Sequence, residues 1–270
     1  LSESLDLDAR PDFSQPNAEA ADIERRKAVL GVAGDAQRNL NFDRDRFVLD
    51  CAKGSSVFGL RVATYYPARF AGLILRDPQD AGLRYESLVG LPILLIQTSE
   101  TKAFCEQLSE TLKKYDSPVE ILEAEDEHPF PAAKEKIAEW VSGLRRNLFR
   151  DRVVIAPNHD LYRKGFWIQI GTAEPLASVS REDRPFLDAK VVREENKIVV
   201  DTKSIENFVM LLNDDIVDLD KEITLVVNGI AEKRLRGRSF SLLQNQVLKR
   251  FDPGSIFTAE WPVTVPKQEK

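Results

Sequence analysis

The sequence predicts an α/β fold: a parallel sheet with flanking helices, followed by a C-terminal, mostly-β, sandwich-like domain. Three observations predict it. Between residues 47 and 146, apolar runs of strand length alternate with stretches of helical period, as a parallel sheet covered on both faces requires. After about Arg150 the helical stretches give way to short, often alternating runs. Asn228-Gly229, between Thr224-Leu-Val-Val227 and Ile230-Ala-Glu-Lys233, is a strong two-residue hairpin signal.

Taken in order, residues 1–20 carry Pro11, Pro16 and scattered acids without a sustained period, and read as a linker or arm. Asp22 offers an N-cap, and Ile23, Leu30, Ala33 and Leu40 recur at roughly helical spacing, predicting a helix over about 21–38. A turn over 41–46 leads into a strand at 47–50. The next helix ends near Tyr66, because the residue before Pro67 is biased away from helical geometry. Strands follow at 71–75, 91–96 and 119–122, with helices at 101–115 and 132–146. The last of these shows Ile137, Trp140, Val141 and Leu144 on one side. In the second half, strands are predicted at 152–156, 166–170, 189–192, 197–201, 208–212, 223–227 and 256–262, with one helix at about 239–251. The expected domains are thus 21–149 and 150–270.

Composition narrows the function classes. With 270 residues, 43% hydrophobic and 30% charged, the chain can bury a sizeable core and has an ordinary soluble, globular make-up. The net charge of −6, from 38 basic and 44 acidic residues, argues against nucleic acid or an anionic membrane surface as main partner. No run approaches the ~20 apolar residues of a transmembrane helix. Two cysteines are too few for a disulfide scaffold and leave cytoplasm and periplasm both open. No Gly-rich phosphate loop, Cys/His zinc spacing or dinucleotide motif is present, so neither cofactor nor metal is expected. The acidic run Asn213–Asp220 has Ile216, Val217 and Leu219 where a calcium loop alternates acids around a glycine, and reads as a turn with solvated acids. Lys233–Arg238 reads as the exposed face of a strand.

The chemistry concentrates in Phe47–Leu75, which reads as strand, sharp turn, helix and second strand. A residue at the apex of such a turn needs small neighbours two positions away on each side. Centred on Lys53 these are Cys51 and Ser55. Centring on Ser55 or Ser56 would place Lys53 and Val57, or Phe58, where the turn has no room. Lys53 is therefore the expected apex, with Ser55 and Ser56 capping the following helix and Cys51 packing as a small buried residue.

On this turn, the order of elements, the phrase Tyr66-Pro-Ala-Arg-Phe-Ala-Gly72 and Glu127-His-Pro-Phe-Pro131 before the last helix, residues 40–148 resemble the C-terminal half of an α/β-hydrolase. The group resembled is that of esterases, dienelactone hydrolases and prolyl-oligopeptidase-like proteins. The resemblance implies a catalytic order Ser, then Asp or Glu, then His. Here those places fall at Lys53, at Glu100 or Thr101, and at His128, and only the histidine is kept. A serine attacks because an imidazole takes its proton and a carboxylate orients the imidazole; an unperturbed lysine is cationic and not nucleophilic.

The expected function is a degenerate catalytic site with a binding or structural role. The alternative is a serine carboxylester or peptide hydrolase using Ser56 or Ser55 with His128 and Glu100, and a third reading makes Lys53 a base in other chemistry. The resemblance also implies strands and an oxyanion loop before the turn, and residues 1–46 contain no convincing apolar strand. Either a preceding segment or a partner protein supplies that half, or 40–148 form a smaller sheet. An ester or peptide substrate is expected only if the site is active.

Overall fold

The computed structural model describes residues 18–41, 43–250, 252 and 254–266. It is a mixed α/β structure with one parallel four-stranded sheet and two further sheets. Residues 1–17 of the expected arm lie outside the described residues, while 18–20 already belong to helix α1, Ala18–Asn39. Asp22 thus lies within the helix instead of capping it. Ala18, Ala20 and Ala21 are strong helix formers, and once a helix is nucleated each added residue contributes one hydrogen bond.

The parallel sheet comprises β1 (Val48–Ala52), β2 (Gly72–Arg76), β3 (Ile93–Gln97) and β4 (Val119–Glu123), in that spatial order. Helices α2 (Ser56–Tyr65), α3 (Lys102–Lys113) and α4 (Lys134–Ser142) connect or follow them. Successive strand residues point to opposite faces. Leu73, Leu75, Ile93 and Leu95 accordingly join Leu60 and Ala63 of α2 and Leu108 and Leu112 of α3 in one core. Ile74, Leu94 and Ile96 join Ile137, Trp140 and Val141 of α4 in another. Continuous apolar runs such as Leu91–Ile96 are what burial on both faces demands. Helix α4 stops at Ser142, four residues before the expected end, with Gly143 as its C-cap.

The second half comprises β5 (Arg152–Ile155), β6 (Lys164–Gly165), β7 (Ile168–Ile170), β8 (Phe186–Val192), β9 (Lys197–Lys203), β10 (Asn207–Leu212), β11 (Ile223–Val227), β12 (Ile230–Arg234), helix α5 (Phe240–Arg250) and β13 (Ala259–Thr264). One sheet runs β12-β11-β9-β8-β5, with β9 and β11 parallel; the other, β13-β10-β7-β6, is wholly antiparallel. Both contribute to one shared core, with alternate residues such as Leu187, Ala189, Ile198 and Val200 from the first, and Phe208, Met210, Trp261 and Val263 from the second. Asn228 and Gly229 carry φ of 49° and 83°, the left-handed pair that a tight hairpin needs.

Three expectations are corrected here. The strand expected at 166–170 is a hairpin: Gly165 pairs with Ile168, and Phe166, directly after Gly165, takes φ 50° in the two-residue turn between them. The last strand begins at Ala259, not at 256. Residues 235–238 leave the strand, Arg236 lies 4.4 Å over the Trp261 ring, and Arg238 bridges Asp214 and Asp220, so those two acids are paired. The bend at 213–220 is held by burial of Ile216, Val217 and Leu219.

The two halves meet through polar anchors. Arg146 forms ion pairs at 2.8 Å with both Asp45 and Asp252. Ser87 Oγ accepts from the Ala156 N–H. Asn158 accepts from the Arg84 N–H and donates to the Arg84 carbonyl. Among the described residues, no helix is long and apolar enough to cross a membrane.

Candidate functional site

Strand β1 ends in a single 3₁₀ turn, Lys53–Ser55, before α2 begins. Lys53 takes φ 38°, a left-handed conformation costing a non-glycine residue roughly 1–2 kcal/mol. The surroundings must hold it there. One device is the close approach of α2 to β1: a Cβ on Gly59 would lie 2.2 Å from Cys51 Sγ. The small residue expected at position 51 therefore packs against a glycine eight residues on.

Ser55 and Ser56 do not cap α2 as expected. Ser55 Oγ accepts from the Ala52 N–H at 3.1 Å and donates to the Ala52 carbonyl at 2.7 Å, closing the turn on itself. Ser56 is fully buried, and its Oγ accepts from the Gln79 N–H at 2.9 Å. Both hydroxyls lie outside the lining of the cleft that the apex faces.

Lys53 Nζ lies 3.5 Å from Asp77 Oδ2; the lysine side chain is 66% exposed and the aspartate 6%. Asp77 follows β2, with φ 50°, and its Oδ1 accepts from Thr98 Oγ1 at 2.6 Å and Thr101 Oγ1 at 3.2 Å. Thr101 in turn accepts from the Thr98 N–H. Thr101 is thus a hydroxyl donor to a buried carboxylate. Sequence reasoning missed Asp77; its signal was an acid directly after an apolar strand, at the carboxyl end where α/β sheets present ligand-facing groups.

Glu100 and His128 are exposed, and both line the same cleft as Lys53 and Asp77, a space of about 690 Å³ beyond the carboxyl ends of the strands. No hydrogen bond or ion pair joins His128 to Glu100, Lys53, Ser55 or Ser56 among the described residues. The His128 ring instead meets Phe130 edge-on at 5.9 Å. The loop bearing His128 is tied to the sheet by Arg76, which is ion-paired with Asp50 at 2.8 Å and donates to the Pro129 carbonyl at 2.7 Å. The structure therefore gathers Lys53, Glu100, Thr101 and His128 around one cleft or its edge, and turns Ser55 and Ser56 away from it.

Both cysteines are free and buried. Desolvation pushes the Cys51 thiol up to about 12, with Asp50 adding to the shift, and desolvation likewise pushes Cys105 up to about 11. With so little thiolate, neither thiol is expected to react with iodoacetamide at about pH 8 in the native protein, whereas both should react in denaturant. Alkylation of native Cys51, read by peptide mass, would refute its burial.

The class that the geometry defines is a parallel α/β unit whose loops at the carboxyl ends of the strands surround one cleft. No protein-family model and no curated protein matches the chain. Among solved structures, a carboxylesterase of Bacillus cereus is similar over 46% of this chain, with 20% identity and a TM-score of 0.38; the matched region spans 62% of that carboxylesterase.

Proposed function

We propose that residues 21–149 form an α/β-hydrolase-like unit whose catalytic site is degenerate, that 150–270 form a separate β-rich domain, and that the chain has a binding or structural role. The carrying observation is Lys53: at the apex of the strand-to-helix turn an ammonium, ion-paired with Asp77, stands where a nucleophilic hydroxyl would be needed. The fixed hydrogen bonds of Ser55 and the burial of Ser56 support the same reading, since a nucleophile must reach both its base and its substrate. Among the described residues, no carboxylate is hydrogen-bonded to His128 to set a catalytic tautomer. Strand β1 is hydrogen-bonded on one side only among the described strands, which supports a further strand from a preceding segment or a partner protein.

A fluorophosphonate probe tests this reading. The native protein is expected to stay unlabelled. Stoichiometric labelling that disappears in Ser56→Ala or Ser55→Ala would establish the serine hydrolase instead. Lys53→Ser is expected to bring no more than trace ester hydrolysis, because His128 stays unoriented.

A further inference from the structure

We propose that a cavity at the amino ends of β3 and β4, at the opposite end of these strands from the cleft, binds a small organic monocarboxylate. The cavity, of about 290 Å³, lies where the two halves of the chain meet, a common place for ligand pockets. Val89, Gly90 and Tyr115, in the loops before β3 and β4, line one side of it, and Arg150, Arg152 and Lys190 line the other. The carrying observation is Arg150. The residue is 6% exposed, yet no carboxylate forms an ion pair with it among the described residues. Arg146, whose side chain is 5% exposed, meets two.

Arg150 Nε donates to the Asn147 carbonyl at 2.8 Å, and Nη1 to the Val89 carbonyl at 3.5 Å. Those carbonyls engage protons but leave the charge uncompensated, and a buried charge without a counter-ion is costly. Burial pulls the guanidinium down to about 9, so it still carries its charge at neutral pH. The third nitrogen, Nη2, has no acceptor among the described residues and, unlike the closed-off polar atoms of the interior, keeps accessible surface. The Phe166 ring centroid, 4.2 Å away, and Gly90, where a Cβ would lie 2.4 Å from Nη1, hold the guanidinium in place. An anion entering the cavity therefore meets a fixed, charged donor.

Two more donors line the same cavity. Lys190 is exposed, stands opposite Arg152 in the β5–β8 register, and has no hydrogen bond or ion pair among the described residues. Asn147 Oδ1 accepts from the Phe149 N–H, which leaves Nδ2 as a donor without an acceptor among the described residues. The balance of charge selects the ligand. Arg152 is paired with Asp188 at 2.7 Å, and Asp151 with Arg193 at 2.6 Å. Arg150 and Lys190 then stand against a single acid, Asp116, whose side chain is 96% exposed and 4.0 Å from Arg152. One positive charge is left over, which matches the single negative charge of a carboxylate better than a dianion. The half-buried Tyr115 ring offers a surface for the apolar body of the ligand.

Ligand-observed NMR titration of the full chain with benzoate at low ionic strength tests this, with neutral benzamide and inorganic phosphate titrated in parallel. Saturable binding of benzoate at a single site is expected, with benzamide about tenfold weaker or more and phosphate weaker than benzoate. Arg150→Gln should weaken benzoate about tenfold, and Lys190→Gln about threefold. Lys233→Gln, an exposed lysine on β12, removes the same charge and should alter affinity less than about twofold. Circular dichroism checks that Arg150→Gln is folded; if it is not, Lys190→Glu takes its place and should weaken benzoate about tenfold. Absence of saturable binding to the native protein, equal affinity for benzamide, or tighter binding of phosphate would each overturn the proposal. So would a loss in the folded Arg150→Gln, or in the Lys190→Glu that replaces it, no larger than that in Lys233→Gln.

Discussion

Replacing Arg146 with methionine is expected to destabilise the protein by about 3 kcal/mol, a large share of the 5–15 kcal/mol typical of a folded domain. The Arg146 side chain is 5% exposed and makes bidentate contacts with two carboxylates: Nε and an NH₂ group reach Asp45, while both terminal nitrogens reach Asp252. Removing one member of a buried ion cluster leaves the others desolvated and unpaired, which costs more than the cluster itself contributes. Asp45 keeps some access to water, which holds the figure at the lower end of the range for buried pairs. Chemical denaturation should report the loss as a lower midpoint with an unchanged slope. A change below ~1 kcal/mol would show that the cluster is solvated in practice.

The same cluster sets an acid limit. Burial pushes the Asp252 carboxyl up, but the hydrogen bonds and charge of Arg146 outweigh it, and the net result is a carboxyl held below the usual aspartate value. A folded-state value below the unfolded one contributes stability at pH above the unfolded value, about 3.9, and that contribution is lost as pH falls through the folded value. Wild-type stability should therefore drop below about pH 4, and the drop should be shallower in Arg146→Met. Parallel pH curves for the two proteins would refute the assignment.

Trp167→Ala is expected to be at least as damaging, at about 3–5 kcal/mol. Trp167 is fully buried in the core shared by the two β-sheets, and its Nε1 donates to the Arg150 carbonyl at 3.0 Å. Truncation would open a cavity and leave a buried carbonyl without a donor. Arg150 amplifies the effect. Its guanidinium stacks 4.2 Å from the centroid of Phe166, the neighbour of Trp167 in the β6–β7 turn, and burial pulls it below the usual arginine range. Trp167→Phe retains most of the packing and removes only the donor, so it should cost about 1–3 kcal/mol. Equal losses for the two variants would show that the hydrogen bond, and not the ring volume, holds this turn.

Much of the fold was legible in the residues because local rules and long-range packing agree there. The apolar runs Ala71–Leu75 and Leu91–Ile96 needed two covered faces, and the structure covers both with helices. The turn at Lys53 was legible because steric limits on its neighbours act over two residues. The hairpin at Phe166 was not, since the residue that turns left-handed is a phenylalanine, next to Gly165, and tertiary packing of Trp167 decides it. Helix ends at Ala18 and Ser142 differ from expectation by a few residues, where competing caps differ by about a kcal/mol.

What the sequence by itself determined about this protein is its alternation of strands and helices, the switch to β-structure in the second half, and a lysine at the apex of a sharp strand-to-helix turn. Those features depend on steric size, propensity and period within a few neighbouring residues. Only the tertiary structure decided that Asp77 receives Lys53, Thr98 and Thr101, and that Ser56 is buried under the Gln79 amide. These pairings join positions about 20 or more residues apart. Their energies come from which polar groups lose water together, a property of the packed chain that no local pattern carries.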